Sequence, residues 1–282
     1  MLPLLQSLRP QQWYKNLLVF LAVIFSGNLL NLISVWQSIL AFASFCALSS
    51  ATYVINDYAD RHKDRLHPEK WNRPIASGKI SGIEALIIVL VLFTIGFGIA
   101  LLLPIKFIYA ALGYFVLSQL YTAWLKHEAF ADILTISVNF VIRAIAGAFA
   151  ISVWVSPWLI LGIFFLALFL MFGKRTSELA LLKKQAIFQR KALRSYKSGV
   201  VSRLNTLATT ALVISYTLFV FFGEHPLLYI NLPPALYAIF RYESLVSSGD
   251  KIARHPEIVF TDKRMVTAML IWAIITFSVL YF

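Results

Sequence analysis

The chain reads as an all-α, polytopic membrane protein, a single bundle of nine transmembrane helices. Three observations predict it. Hydrophobic residues make up 60% of the 282 and charged residues only 13%, where a soluble domain carries roughly a quarter charged residues. Apolar stretches of about 18 or more residues, the length that crosses a bilayer as a helix, recur along the chain. The basic residues fall almost entirely in alternate connections between those stretches.

The nine segments are residues 16–33, 35–56, 83–103, 107–125, 130–151, 156–173, 204–222, 226–241 and 265–282. The first follows Arg9 and Lys15 without the order of charged region, short apolar core and small-residue cleavage site of a signal peptide, so it is expected to stay in the membrane. The second runs directly into a polar stretch rich in aspartate. The fifth carries Arg143 inside it, an expensive place for a cation and by default a functional one. The eighth is short and contains Pro233-Pro234, so a broken or tilted helix is expected there. With no detached soluble region, residues 1–282 are expected to form one domain.

The charges set the orientation. Connections on one side are residues 1–15, 57–82, 126–129, 174–203 and 242–264; those on the other are 26–35, 104–106, 152–157 and 223–228. Of 25 Lys and Arg, the second side holds Lys106 alone; Arg143 lies within a helix and Arg241 at the inner end of the eighth. The positive-inside rule places the N-terminus and the large loops in the cytoplasm and the C-terminus outside, in a bacterial-type inner (plasma) membrane. The net charge of +12 is then topology and attraction to anionic headgroups, and gives no reason to expect nucleic acid as a partner. Lys183, Lys184, Arg190 and Lys191 have no special spacing and fit that reading. Cys46 is the single cysteine, so an intrachain disulfide is excluded. His62, His67, His127, His225 and His255 are scattered without metal-ligand spacing. No phosphate-binding or dinucleotide glycine signature is present.

The chain has six aspartates, and three lie within Asn56-Asp57-Tyr58-Ala59-Asp60-Arg61-His62-Lys63-Asp64, where the second apolar segment ends. If the helix continues, Asn56, Asp60 and Asp64 are spaced i, i+4, i+8, and Asp57 lies three before Asp60. Carboxylates that close raise one another's pKa unless a cation sits among them. A hard divalent ion suited to oxygen ligands and phosphate, Mg²⁺, is the expected cation. Lys70 and Arg73 follow in Lys70-Trp71-Asn72-Arg73-Pro74-Ile75 and supply positive charge beside the carboxylates. Trp13, Tyr14 and Trp71 read as interfacial aromatics.

The pattern Asn-Asp-x-x-Asp-x-x-x-Asp after a second membrane segment, with Asn72-Arg73-Pro74-Ile75 and Gly78 downstream, resembles the first aspartate-rich motif of the UbiA superfamily of intramembrane prenyltransferases. The resemblance runs along nearly the whole chain. It implies pyrophosphate held through Mg²⁺ at Asp57, Asp60 and Asp64, with Asn56 assisting, at the cytoplasmic mouth of the bundle. Typical members carry a second aspartate cluster in the next large loop. Here residues 174–203 contain no Asp and one Glu, Glu178. What stands there is Gly173-Lys174-Arg175-Thr176-Ser177-Glu178, then Arg194-Ser195-Tyr196-Lys197. Basic groups in place of carboxylates suit direct binding of anionic oxygens.

One branch of the superfamily fits that exchange. The chain is similar to the decaprenyl-phosphate phosphoribosyltransferases, on the combination of Arg9-Pro10-x-Gln12-Trp13-x-Lys15-Asn16, the aspartate motif, Tyr121-x-x-x-Leu125-Lys126 with Asp132, Arg143-Ala-Ile-Ala-Gly147, Gly173-Lys174-Arg175-x-x-Glu178, Arg194-x-Tyr196, Arg241-Tyr242, and Pro256-Glu257 with Asp262. That similarity implies a Mg²⁺-dependent transfer of phosphoribose from phosphoribosyl pyrophosphate to a polyprenyl phosphate. Asp57, Asp60 and Asp64 are the implied catalytic and metal-binding residues. Lys15, Asn56, Arg73, Tyr121, Lys126, Asp132, Arg143, Lys174, Arg175, Glu178, Arg194 and Tyr196 are the implied substrate-binding set. The alternatives are an aromatic prenyltransferase of quinone or haem biosynthesis and a lipid-binding or transport protein. The missing second aspartate cluster speaks against the first, and the absence of internal repeats against the second. A homo-oligomer is left open.

Overall fold

The computed structural model describes residues 3–67, 70–182, 198–223 and 225–282. The described residues are helical or irregular, with no strand among them. The helices are α1 (Pro3–Leu8), α2 (Leu21–Phe25), α3 (Leu32–Arg65), α4 (Gly82–Ala100), α5 (Ile105–Ala123), α6 (Ala131–Ala150), α7 (Pro157–Leu182), α8 (Ser198–Phe222), α9 (Leu232–Ser247), α10 (Lys251–Arg254) and α11 (Lys263–Tyr281). Six of them, among the described residues, are long and apolar enough to cross a membrane: α3, α4, α6, α7, α8 and α11. Of the other three expected segments, 107–125 coincides with α5, whose Lys106, Gln119 and three tyrosines lower its apolarity. Segment 16–33 falls partly on a 3₁₀ helix, Pro10–Phe20, followed by short α2. The interruption expected in 226–241 is present as a 3₁₀ helix, Pro226–Asn231, ahead of α9.

The chain divides into two compact units, residues 1–126 with 139–154, and residues 127–138 with 155–282. In the first unit, α3 is the central element. It is capped by Asn31, whose side chain accepts from the amides of Ile33 and Ser34, and it runs 34 residues to Arg65 without a break. Small residues let α4 approach it: Ser44 Oγ donates to the Gly96 carbonyl at 2.8 Å, and a Cβ on Gly96 would stand 2.7 Å from Leu48. Close contact through small residues is the usual means of helix association in lipid, where apolar burial offers little drive. Phe45 of α3 packs on Phe107 and Tyr114 of α5, with ring centroids 5.8 and 5.2 Å apart.

The 3₁₀ helix is long for its kind and has a structural consequence. Arg9 takes a left-handed conformation (φ 52°, ψ 58°) and Pro10 opens the helix with its φ preset. A repeat of three residues per turn stacks positions i, i+3 and i+6 on one side. Trp13, Asn16 and Val19 therefore form a single line. Trp13 Nε1 donates to Ser50 Oγ (3.0 Å), and Asn16 Nδ2 donates to Cys46 Sγ (3.3 Å) and Ser49 Oγ (3.2 Å). At the third position, Val19 is so close to α6 that a Cβ on Gly147 would lie 2.0 Å from its carbonyl oxygen. Trp13 is thus a helix-packing residue with its indole N–H used, a firmer role than the interfacial anchor expected from sequence.

In the second unit, α7 and α8 lie against each other, and Phe169, Phe172, Val201, Ala208, Leu212, Tyr242 and Val246 belong to one buried cluster. Gly173 admits Tyr242 and Val246, which would stand 3.1 and 2.9 Å from a Cβ there. Arg241 of α9 reaches Asp262, the N-cap of α11, at 2.6 Å, and Asp262 also accepts from the Met265 amide at 2.8 Å. The first hydrogen bond holds the Asp262 carboxyl below the usual carboxylate range, and the second adds to it. An apolar groove of about 620 Å³, lined by Phe130, Leu134, Phe165, Leu168, Phe172 and Leu204 among others, opens on this unit.

Candidate active site

Helix α3 continues through the aspartate stretch, and its last turns carry Asn56, Asp57, Asp60 and Asp64. Seven residues return a straight helix to within ~20° of the starting direction, so Asp57 and Asp64 share one line. Three residues leave Asp60 about 60° round the axis from Asp57. The structure follows that angular split. Asp57 and Asp64, 3% and 4% exposed, share one partner: Arg73 Nη1 lies 3.0 Å from Asp57 Oδ1 and 2.7 Å from Asp64 Oδ2. Asp57 Oδ1 also accepts from Arg9 Nη2. Asp60 stands with a different cation, Lys126, whose Nζ lies 2.8 and 2.9 Å from its two oxygens and 3.2 Å from Asn56 Oδ1. The cations that charge repulsion demanded are therefore supplied by the chain itself.

Arg73 is placed by the loop after α3. Ile75, Ala76 and Ile80 are buried, and Ile75 and Ile80 pack against Val54 and Ala85. The loop is braced by backbone bonds from Ser77 to the Arg73 carbonyl and from Ile80 to the Pro74 carbonyl, and Gly78 supplies the positive φ of 78° its turn requires. Arg65 Nε donates to the Ala76 carbonyl at 2.8 Å and ties the loop back to the helix end. Lys126 follows the end of α5 in a short 3₁₀ turn, Leu125–His127.

These donors fit a hard divalent cation. Asp57 and Asp64 would hold such an ion, and Arg73 Nη1, which contacts both carboxylates, neutralises them here. The surrounding donors are all oxygen, and Mg²⁺ commonly takes only one or two carboxylates, leaving the rest of its shell to phosphate and water. Among the described residues, no three acidic, His or Cys side chains gather at metal-binding distance, and Asp60 is paired with Lys126.

Below this cluster lies a second polar group in the same unit. Arg143 is 4% exposed; its Nε donates to Asn16 Oδ1 (2.8 Å), Nη1 to the Asn139 carbonyl (2.8 Å) and Nη2 to Tyr114 Oη (3.0 Å). Its guanidinium also stacks 4.5 Å from the Tyr114 ring centroid. Lys15 is half-buried, 5.9 Å from the Tyr14 ring centroid, and Tyr121 is half-buried on α5.

The second unit contains Asp132 and Arg175, both buried and paired at 2.9 Å. The sequence grouped Asp132 with Lys126, whereas here Lys126 serves Asp60 and Asp132 serves Arg175. Lys174 is half-buried beside that pair in sequence. Arg194 and Tyr196, as well as Lys183, Lys184, Arg190 and Lys191, lie outside the described residues, as do the side chains of Glu178 and Glu257. Sequence reasoning gave no individual role to Arg9, Asn16, Tyr114 or Asn139. Arg9 and Asn16 stood only within the motif Arg9-Pro10-x-Gln12-Trp13-x-Lys15-Asn16, and Asn139 lies four residues before Arg143 on one helix face.

Among the described residues the protein thus combines six helices long and apolar enough to cross a membrane with a paired-aspartate, cation-rich cluster at the end of one of them, and comparison with known proteins identifies its family. The model of the UbiA prenyltransferase family matches residues 17–261, and the chain belongs to that family. Decaprenyl-phosphate phosphoribosyltransferase of Corynebacterium glutamicum is 34% identical over 279 residues, covering 95% of this chain and 84% of that protein. The protein of the same name from Mycolicibacterium smegmatis is 33% identical over 304 residues, covering 99% and 92%. Among solved structures, a UbiA homolog from Archaeoglobus fulgidus bound to DMAPP and Mg²⁺ superposes with a TM-score of 0.77 over 98% of both chains at 22% identity, a likeness of fold. The chain is a multi-pass membrane protein and a transferase.

Proposed function

We propose that the protein transfers the phosphoribosyl group of phosphoribosyl pyrophosphate to a polyprenyl phosphate, giving polyprenylphosphoryl-5-phosphoribose and pyrophosphate. The observation that carries this reading is the near full-length match at 33–34% identity to proteins named for that activity. The family match spans both compact units, and we take the chain as one transferase domain. Nine spans, with the N-terminus and aspartate cluster cytoplasmic and the C-terminus outside, complete the proposed arrangement in a bacterial-type inner membrane.

Asp57 and Asp64, with Asp60 joining once Lys126 turns away, would hold Mg²⁺, which supplies charge neutralisation at the departing pyrophosphate. Arg9, Arg73 and Lys126 are committed to carboxylates in the ligand-free protein. When the diphosphate arrives, these side chains exchange carboxylate oxygens for phosphate oxygens, so the pocket gains negative charge without stranding its own aspartates. The bond between the ribose C1 and the pyrophosphate oxygen breaks, and the leaving group takes the electron pair. The acceptor's phosphate oxygen forms the new bond to C1 through an oxocarbenium-like transition state. That oxygen is already anionic near neutral pH, so no strong base is required. Positioning and electrostatic stabilisation supply the acceleration. Lys15, Asn56, Tyr121, Lys174, Arg175, Glu178, Arg194 and Tyr196 complete the proposed binding set, with Asp132 orienting Arg175.

The test is substrate competition on the purified full-length protein. Turnover of phosphoribosyl pyrophosphate that requires a polyprenyl phosphate supports the assignment. Turnover of a prenyl diphosphate with hydroxybenzoate, and none with the first pair, overturns it.

A further inference from the structure

Where α9 and α11 lie together in the second unit they leave an open groove of about 310 Å³, lined by Pro234 and Tyr237 of α9 and by Arg264, Thr267, Ala268 and Ile271 of α11. The four α11 residues are spaced i, i+3, i+4 and i+7, so they form one stripe of that helix over two turns, ~10 Å. Ala268 is buried, while Tyr237 and Ile271 are 48% and 45% exposed. Helix α11 is long and apolar enough to cross a membrane, and an exposed Ile271 on it belongs among acyl chains.

Arg264 gives this apolar groove a charged end. It and Lys263 stand in the first turn of α11, where the helix dipole disfavours cations. The Asp262 carboxylate is within electrostatic reach of Arg264, but it is already bonded to Arg241 Nη2 at 2.6 Å and to the Met265 amide at 2.8 Å. Asp250 acts on Arg241 as well. Among the described residues, neither Lys263 nor Arg264 has an ion-pair partner. The Thr267 hydroxyl donates to the Lys263 carbonyl at 2.9 Å, so the side-chain donors that the groove leaves for a ligand are the Arg264 guanidinium and the Tyr237 phenol.

An apolar crevice with an unpaired cation at one end matches an amphiphile with an anionic head. We propose that the groove holds one anionic phospholipid of the surrounding membrane, its phosphate at Arg264 and Tyr237 and one acyl chain along Thr267, Ala268 and Ile271. Basic pockets between membrane helices are a recurrent way of gripping such headgroups. A zwitterionic lipid brings its own ammonium toward Lys263 and Arg264 and gains less. A polyprenyl phosphate offers similar chemistry, but phospholipid is the bilayer itself, so mass action favours it. The orientation proposed above puts the first turn of α11 at the cytoplasmic leaflet, and only the choice of leaflet rests on it. The bound lipid fastens α9, which follows the 3₁₀ interruption at Pro226–Asn231, to α11 along a line that the Arg241–Asp262 bond holds at one point.

The experiment titrates the detergent-solubilised full-length protein with dioleoyl phosphatidylglycerol and, separately, dioleoyl phosphatidylcholine, and counts bound lipid by native mass spectrometry. Wild type is expected to bind one phosphatidylglycerol about five-fold or more tightly than phosphatidylcholine. Arg264→Gln should remove that preference, and Thr267→Trp, which fills the groove, should weaken both lipids. Lys251→Gln, which neutralises an exposed cation that does not line the groove, should keep the preference. Equal binding of the two lipids by wild type, or a loss in Lys251→Gln as large as in Arg264→Gln, means general attraction to a basic face and overturns the proposal. Displacement of phosphatidylglycerol by an equimolar polyprenyl phosphate also overturns it, since the occupant is then the acceptor. Each comparison is between two lipids on one protein, so a variant's altered stability does not decide it. Turnover is not read, so a negative result leaves the phosphoribosyl reading standing.

Discussion

Replacing Arg73 by Gln tests whether a cation belongs between Asp57 and Asp64. In the wild-type protein one nitrogen holds both carboxylates, which are nearly fully buried, while Arg73 itself is 26% exposed. Two charges about 5 Å apart at an effective dielectric of ~20 repel by about 3 kcal/mol. Removing one partner of a buried pair typically costs ~3–5 kcal/mol, and water at the exposed edge of Arg73 together with the remaining Arg9 reduces that toward about 2–3 kcal/mol. For a chain of this size the melting temperature should fall by on the order of 5–10 °C. The diagnostic part is rescue. A divalent ion held by the freed Asp57 and Asp64 would bind the folded protein alone, so millimolar Mg²⁺ should raise the variant's melting temperature more than the wild type's. Scanning fluorimetry in detergent, with and without Mg²⁺ and with Ca²⁺ as a second ion, reads both effects. Equal melting temperatures for the two proteins, or identical Mg²⁺ responses, would refute the bridging-cation argument.

Three further outcomes are expected. Asp57→Asn should reduce turnover by at least ~10³ while the protein stays folded, since it removes the carboxylate shared by Arg9 and Arg73; steady-state assay beside a melting curve checks both. Gly147→Ala forces a methyl group against the Val19 backbone and should destabilise by about 1–3 kcal/mol or more, seen as a lower melting temperature with normal substrate affinity in the surviving folded fraction. Asp262 has a folded-state pKa below its ordinary value, so its contribution is present above about pH 4 and is lost as pH falls through the depressed value. The stability gap between wild type and Asp262→Asn should therefore be flat from pH 5 to 8 and close only in stronger acid; a gap that changes near neutrality contradicts it.

Much of this protein is written in local signals. Apolar run length locates the six helices that are long and apolar enough to cross a membrane among the described residues, and the density of acid in residues 56–64 marks the end of α3 that carries the candidate site, because carboxylates are rare elsewhere. The proline pair at 233–234 correctly announces an interrupted helix. What remained illegible depends on long-range partnership. Nothing local to Arg9 says that its guanidinium meets an aspartate 48 residues away, since that contact requires a left-handed turn before Pro10 and a 3₁₀ segment laid along α3. Run length predicts a membrane segment from residue 16, but hydropathy is blind to whether the backbone repeats every 3.0 or 3.6 residues, and the structure has a 3₁₀ helix and a short α-helix there. Likewise Lys126 and Asp132 look like one hairpin cluster in sequence, and only the fold assigns them to Asp60 and Arg175.

The most direct test of the central claim is the fate of the ribose ring. Phosphoribosyl pyrophosphate carrying ¹³C in the ribose is incubated with the purified protein, Mg²⁺ and a polyprenyl phosphate, and the lipid fraction is analysed by mass spectrometry. The predicted result is one labelled phosphoribosyl group per lipid phosphate, formed with an equal amount of pyrophosphate. Unchanged lipid under these conditions, with label transfer instead from a prenyl diphosphate to an aromatic acceptor, would contradict the account.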